Sequence, residues 1–142
     1  MSSSSVNAED VELSCDLPFT KFATHKGHTE IISNLNFKEG DWNEVCRLKK
    51  SPPSVHKRVI PVDFRDFCML VVTEVAPDTT VKKHSHDEGI VRYVIKGSFY
   101  LNGTRYKKGD WVLVPEGVPY EITTKSGYVV IAGYRTWCKD PD

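Results

Sequence analysis

The 142-residue chain contains no apolar run near the roughly 20 residues that a membrane-spanning helix requires. Its four cysteines, Cys15, Cys46, Cys68 and Cys138, form no CxxC pair and no metal-finger spacing. A helical membrane anchor, a thioredoxin-like redox motif and a zinc finger are thereby excluded. An excess of one charge is missing too: nineteen Lys and Arg balance nineteen Asp and Glu. That balance argues against a dedicated nucleic-acid binder and against a peripheral protein held by anionic lipid. Neither a glycine-rich phosphate loop, a serine nucleophile elbow nor a pair of catalytic carboxylates is present. The opening Met1–Ser5 lacks the basic start and apolar core of a secretory signal. A cytoplasmic location with reduced thiols is therefore expected. Cys68, inside the apolar run Phe67–Val72, is expected to be a small buried hydrophobe.

What the chain does contain is the material of one globular domain. Its 39% hydrophobic and 27% charged residues are ordinary proportions, and the length suits one core rather than two. Residues 1–16 carry Glu9, Asp10, Glu12 and Asp16 without a base and are expected to form a loose acidic tail, leaving 17–142 as the domain. Residues 47–58 hold five Lys or Arg and no acid. Pro52-Pro53 interrupts that run, so a solvated strand–loop–strand face is expected, with an anion or partner site as the alternative. Helical periodicity is scarce and strand signals are frequent. Phe67–Val75, Ile90–Lys96, Ser98–Leu101, Thr104–Tyr106, Trp111–Val114, Tyr120–Thr124 and Tyr128–Tyr134 all predict strands. Asn102-Gly103 predicts a type I′ hairpin turn. Gly97 is expected to end the strand before it, and the last two strands to pair across Lys125–Gly127. Earlier strands are expected at Thr29–Asn34, Glu44–Leu48 and Val55–Ile60. Short strands every ten or so residues indicate an all-β antiparallel sandwich or barrel.

The main chemical signal is His84-Ser85-His86. Alternate residues of a strand share a face, so two imidazoles about 6.6 Å apart at their Cα atoms can converge on one metal ion. From here the sequence resembles the cupin superfamily, whose first motif is G-x5-H-x-H-x3-4-E-x6-G. Asp78 stands at the first glycine, followed by His84, His86 and Gly97. The second motif, G-x5-P-x-G-x2-H-x3-N, is met by Gly109, Pro115 and Gly117, with Tyr120 at the histidine and Thr124 at the asparagine. The resemblance covers about residues 67–134 and implies a single-domain jelly-roll β-barrel. It also implies one divalent metal ion (iron, zinc, manganese or nickel) held by His84 and His86. Two departures stand out: Ile90 occupies the position of the family's metal-binding glutamate, and Tyr120 that of its last histidine.

The third donor then has two candidates. Tyr120 occupies the right place, although a phenol ordinarily loses its proton only near pH 10. Glu88 shares the parity of His86 and follows a bend at Asp87–Gly89, where a solvated turn glutamate is its alternative. His25, His28 and His56 lie outside the motifs. If Ile90 faces inward, so do Arg92 and Val94, while Tyr93 and Ile95 face outward. A buried arginine is costly unless paired. Arg92 is therefore expected to grip an anionic substrate, to pair with Glu74 or Glu88, or to support Tyr120. Trp42, Trp111 and Trp137 are expected in packing roles. Three functions are compatible with these residues. The first is a metal-dependent enzyme on a small, possibly anionic organic molecule, dioxygenase-like or else a lyase, isomerase or cyclase, with Tyr120 and Arg92 in catalytic roles. The second is a metal- or ligand-binding sensor of the anti-sigma type. The third is a metal-free enzyme using the two histidines as acid and base. A homodimer is expected, to cover Tyr93 and Ile95.

Overall fold

The computed structural model describes residues 29–37, 41–47, 52–64 and 67–134. Among the described residues the strands are β1 (Ile32–Ser33), β2 (Met69–Val75), β3 (Thr79–His84), β4 (Ile90–Leu101), β5 (Thr104–Lys107), β6 (Trp111–Val114), β7 (Tyr120–Thr124) and β8 (Tyr128–Tyr134). All pairings between them are antiparallel. The expected all-β architecture is what the protein adopts.

Strand β4 organises it. Its first half pairs with β6 on one side and β8 on the other, and β2 and β1 extend that sheet at its edges. Its last residues pair with β5 and β7, and β7 in turn with β3. Gly97 does not end the strand. A register shift between Val94 and Lys96, followed by Gly97 at φ 78°, lets one continuous strand bend from the first sheet into the second. The inner faces of both sheets meet in a core of Val94, Phe99, Leu101, Val112, Tyr120, Ile122 and Val130.

Alternation explains most of the remaining burial. Strand β7 buries Tyr120, Ile122 and Thr124 and exposes Glu121 and Thr123. Strand β6 is buried at all four positions, because its outer face is covered as well. The cover is the stretch before β2: Phe37, Trp42, Val45, Cys46 and Val62 pack with Trp111, Leu113 and Val91. Trp42 and Trp111 stand edge to face there, with centroids 6.0 Å apart. Tyr93 packs against the same cluster, so part of the outward face of β4 is already covered by the chain itself.

Several expectations change. Glu44–Leu48 is not a strand: Trp42–Val45 forms one helical turn, α1, whose start is capped by Asp41 accepting from the Asn43 N–H at 3.0 Å. Trp42, Val45 and Cys46 are spaced for a helix face, and all three are buried. Thr29–Asn34 shortens to β1 and passes into a 3₁₀ turn at Asn34–Asn36. Val55–Ile60 contributes only an isolated bridge, Arg58 to Arg47. The two ends of the basic run thus meet, and 52–58 between them is exposed. Strands β7 and β8 do not pair with each other. The turn between them carries the chain from one sheet to the other, tied to β4 by Thr124 Oγ1 donating to the Ser98 carbonyl at 2.7 Å. Cys68 is exposed and Cys46 is the buried thiol, since Cys68 falls on the outward parity of its run. The tail at 1–16, His25, His28, Cys15, Trp137 and Cys138 lie outside the described residues. No helix among the described residues is long and apolar enough to cross a membrane.

The bend in β4 has a testable cost. A Cβ at Gly97 would collide with the Gly127 carbonyl oxygen and crowd the Tyr128 Cα at 2.8 Å. At Gly103, also left-handed with φ +82°, a Cβ meets nothing within 4 Å. Gly97→Ala is expected to lower unfolding free energy by about 3 kcal/mol or more, against about 1 kcal/mol for Gly103→Ala. Urea denaturation of both variants checks the contrast, and equal midpoints would remove the bend from the folding argument.

Candidate functional site

The site is assembled where β3, β4 and β7 meet. Alternation alone would turn His84 away from the interior, since it lies three residues after the inward Val81. A bulge corrects this: the register runs Val81 to Ile122 and then His84 to Tyr120, with one extra residue on β3. Lys82 and Lys83 are both exposed as a result, and the His84 ring lies 4.7 Å from the Tyr120 ring, centroid to centroid. His86 lies beyond the end of β3. Its backbone carbonyl accepts the Gly117 N–H at 2.8 Å, so the loop between β6 and β7 fixes it.

Three donor atoms converge. His84 Nε2 is 3.0 Å from His86 Nε2, and His86 Nε2 is 3.1 Å from Tyr120 Oη. His84 Nδ1 is 2.8 Å from the Lys82 carbonyl oxygen. A carbonyl only accepts, so Nδ1 carries the proton and Nε2 presents its lone pair to His86. Two imidazole nitrogens at this separation need either a proton or a cation between them. The donor set fits a cation. Separations near 3 Å are the edges of a coordination polyhedron with bonds of about 2.1 Å, and a carbonyl holding the remote nitrogen is the usual support of a metal-binding histidine.

Behind the donors stands Arg92. It is 2% exposed on the central strand β4, between Val112 of β6 and Ala132 of β8. Its Nη2 donates to Tyr120 Oη at 2.8 Å, and its Cζ lies 4.9 Å from the centroid of the same ring. Of the three roles expected for Arg92, the geometry displays the support of Tyr120. A cation donating to the phenol oxygen holds the ring in place and favours negative charge on Oη.

Glu88 is buried, at 4% exposure, and so is not a solvated turn residue. Among the described residues no three of His, Cys, Asp and Glu stand together as a metal-holding group. The structure brings the histidine pair together with Tyr120, and Glu88 lies buried two residues beyond His86. His56 is exposed, in the loop between Pro52 and Arg58. Two supports are not evident from the motifs, the Lys82 carbonyl and the Gly117 N–H. The first has no sequence signal beyond the odd spacing of Val81 and His84. The second is signalled by Pro115-x-Gly117, a turn that ends three residues before Tyr120.

Residues 36–136 match the model of the ChrR cupin-like domain family. The chain belongs to this family. Solved structures with similarity to this cupin include an RmlC-like cupin from Shewanella frigidimarina NCIMB 400, 14% identical over 89% of this chain and 95% of that one, with a TM-score of 0.46. A protein of unknown function with a cupin-like fold from Ralstonia eutropha JMP134 is 22% identical over 49% of this chain and 51% of its own, with a TM-score of 0.45. Salicylate 1,2-dioxygenase from Pseudoaminobacter salicylatoxidans, solved as a mutant in complex with gentisate, is 20% identical over 46% of this chain and 19% of its own, with a TM-score of 0.42. The cupin thus spans about half of the Ralstonia protein and about a fifth of the dioxygenase. No curated protein matches the chain.

Tyr120→Phe removes the oxygen to which Arg92 Nη2 donates. Loss of a buried hydrogen bond from a charged group is expected to cost about 2 kcal/mol of stability. Chemical denaturation measures it, and an unchanged midpoint would show that this bond does not hold the guanidinium in place.

Proposed function

We propose that His84, His86 and Tyr120 hold one divalent metal ion and that this cupin is a metal-dependent enzyme acting on a small organic molecule, anionic in the simplest case. The observation that carries the reading is the convergence of three donor atoms at 3.0 and 3.1 Å, with His84 turned to the metal-binding tautomer by the Lys82 carbonyl. A bound ion would supply Lewis-acid polarisation of a substrate oxygen, or oxygen chemistry if it is iron. Three protein donors leave positions for substrate, the layout of catalytic rather than structural metal sites.

The chain's own residues supply the rest. Arg92 orients Tyr120 and stabilises charge on its oxygen. Tyr120 Oη stands 3.1 Å from His86 Nε2, so both would face the same ion and a substrate bound beside it. Ile90 and Val94, on the same strand face as Arg92, and Ile122, on the same strand face as Tyr120, are buried and keep water from the strands behind these two side chains. Dioxygenase-like chemistry comes first in this proposal, with lyase or isomerase chemistry second.

The family match favours a second reading, a non-catalytic metal sensor of the anti-sigma type. Four protein ligands and no exchangeable water on the metal would decide for it. A homodimer also belongs to the proposal, supported by the exposed Leu70 and Val72 on edge strand β2; sedimentation equilibrium tests it.

Purified protein reconstituted with iron, zinc, manganese or nickel is expected to bind about one equivalent. At free metal a hundredfold above Kd, folding should gain about 2.7 kcal/mol, reversed by chelation. The His84→Ala, His86→Ala double variant should lose both effects. A wild type that takes up none of the four metals would overturn the reading.

A further inference from the structure

Asn102 opens the turn between β4 and β5, and its φ of 49° is the left-handed conformation that the turn requires. Asn, Asp and Gly all meet that requirement, so the turn accounts for the backbone and not for the carboxamide. The carboxamide is engaged elsewhere. Its Nδ2 donates to the Pro119 carbonyl at 3.3 Å, and its Oδ1 accepts the Glu121 N–H at 3.0 Å. Its own N–H donates to the Glu121 carbonyl at 3.1 Å. These bonds grip the chain immediately before and after Tyr120. Among the three turn-compatible residues only Asn offers a side-chain donor and acceptor together.

The grip falls where the sheet gives least support. The ladder between β4 and β7 runs only from Tyr100–Thr123 to Leu101–Ile122. On the other side of β7, Tyr120 pairs with His84 across the bulge in β3. Tyr120 thus lies past the end of one ladder and at the irregular end of the other, where strands fray. Asn102 extends the first ladder by one step, using its side chain where strand partners have run out.

We infer that Asn102 is a positioning residue for Tyr120, holding the phenol against His86 and Arg92 from a turn outside the site. The inference rests on the metal-site reading for its consequence and on the hydrogen bonds alone for its mechanism. Asn102 touches neither the histidines nor the tyrosine ring in any hydrogen bond described, so it acts through the backbone.

The test compares wild type, Asn102→Gly and Asn102→Asp, all compatible with the turn. In the metal-free proteins, amide exchange at Glu121 and nuclear Overhauser contacts between the Tyr120 and His84 rings report the position directly. Titration with Cu(II) reports affinity and the phenolate-to-metal charge-transfer band. Asn102→Gly is expected to exchange faster at Glu121, weaken the ring contacts, lower copper affinity about tenfold or more and dim the band. Asn102→Asp keeps the acceptor for the Glu121 N–H and should fall between the two. Melting temperatures control for general loss of stability. Asn102→Gly with wild-type ring contacts, Glu121 protection, affinity and band would overturn the inference, as would a fall in melting temperature with those four unchanged. If Asn102→Gly does not fold, the same comparison is made on Asn102→Asp. If wild type takes no metal, the site reading fails on its own, and the metal-free measurements still decide for or against Asn102.

Discussion

A positive charge that cannot be discarded sits inside the sheet formed around the first half of β4. Arg92 is flanked by Val112 and Ala132, with Ile90 and Val94 on the same face of its strand. An arginine does not shed its proton when buried, so burial obliges the interior to supply acceptors. Tyr120 provides one from the other sheet, and the contact spans the barrel between its two layers. The ring that answers the charge is also the ring that faces the histidines. Stability and site geometry are therefore coupled through one phenol oxygen, and a substitution on either side of it acts on both.

The same economy appears in how the outer face of β6 is buried. A run of four apolar residues is a liability on a sheet with one solvated side. Here the polypeptide before β2 folds back over it, with Trp42 and Phe37 packed edge to face on Trp111. That cover reaches Tyr93 and stops short of Leu70 and Val72, which remain exposed on β2. The molecule buries its centre from both sides and leaves the two most exposed large apolar side chains among its described residues on β2.

Much of this was legible in the sequence. Strands β6, β7 and β8 begin and end where turn residues and apolar runs place them, and Asn102-Gly103 forms the turn its chemistry demands. Local rules failed where the determining partner is distant. Gly97 bends a strand instead of ending it because two sheets compete for β4. Trp42–Val45 becomes a helical turn because its spacing suits the surface offered by Trp111. The paired histidines were visible, as was the tyrosine at the place of a third. Their convergence was expected from simple alternation, and it arises instead from a bulge in β3 and from a loop holding His86. Glu88 looked equally able to approach or to sit in solvent by sequence distance, and only the folded chain shows it buried.

The bulge in β3 makes the site a matter of choice between two registers of one short segment. If pairing continued regularly from Val81–Ile122, Lys83 would stand opposite Tyr120 and His84 would turn to solvent, with no residue changed. The bond from His84 Nδ1 to the Lys82 carbonyl closes across the surplus residue, so the imidazole itself helps to hold the register that aims it inward. A donor and the distortion that presents it are thus not separable by mutation. Loss of one of the two lysines has the opposite character. The histidine would then follow Val81 by two residues and reach the same face by plain alternation, with no bulge to maintain. Within this fold a shorter segment is the easier route to the same pair of rings, and the longer one here ties their placement to the ligand's own side chain.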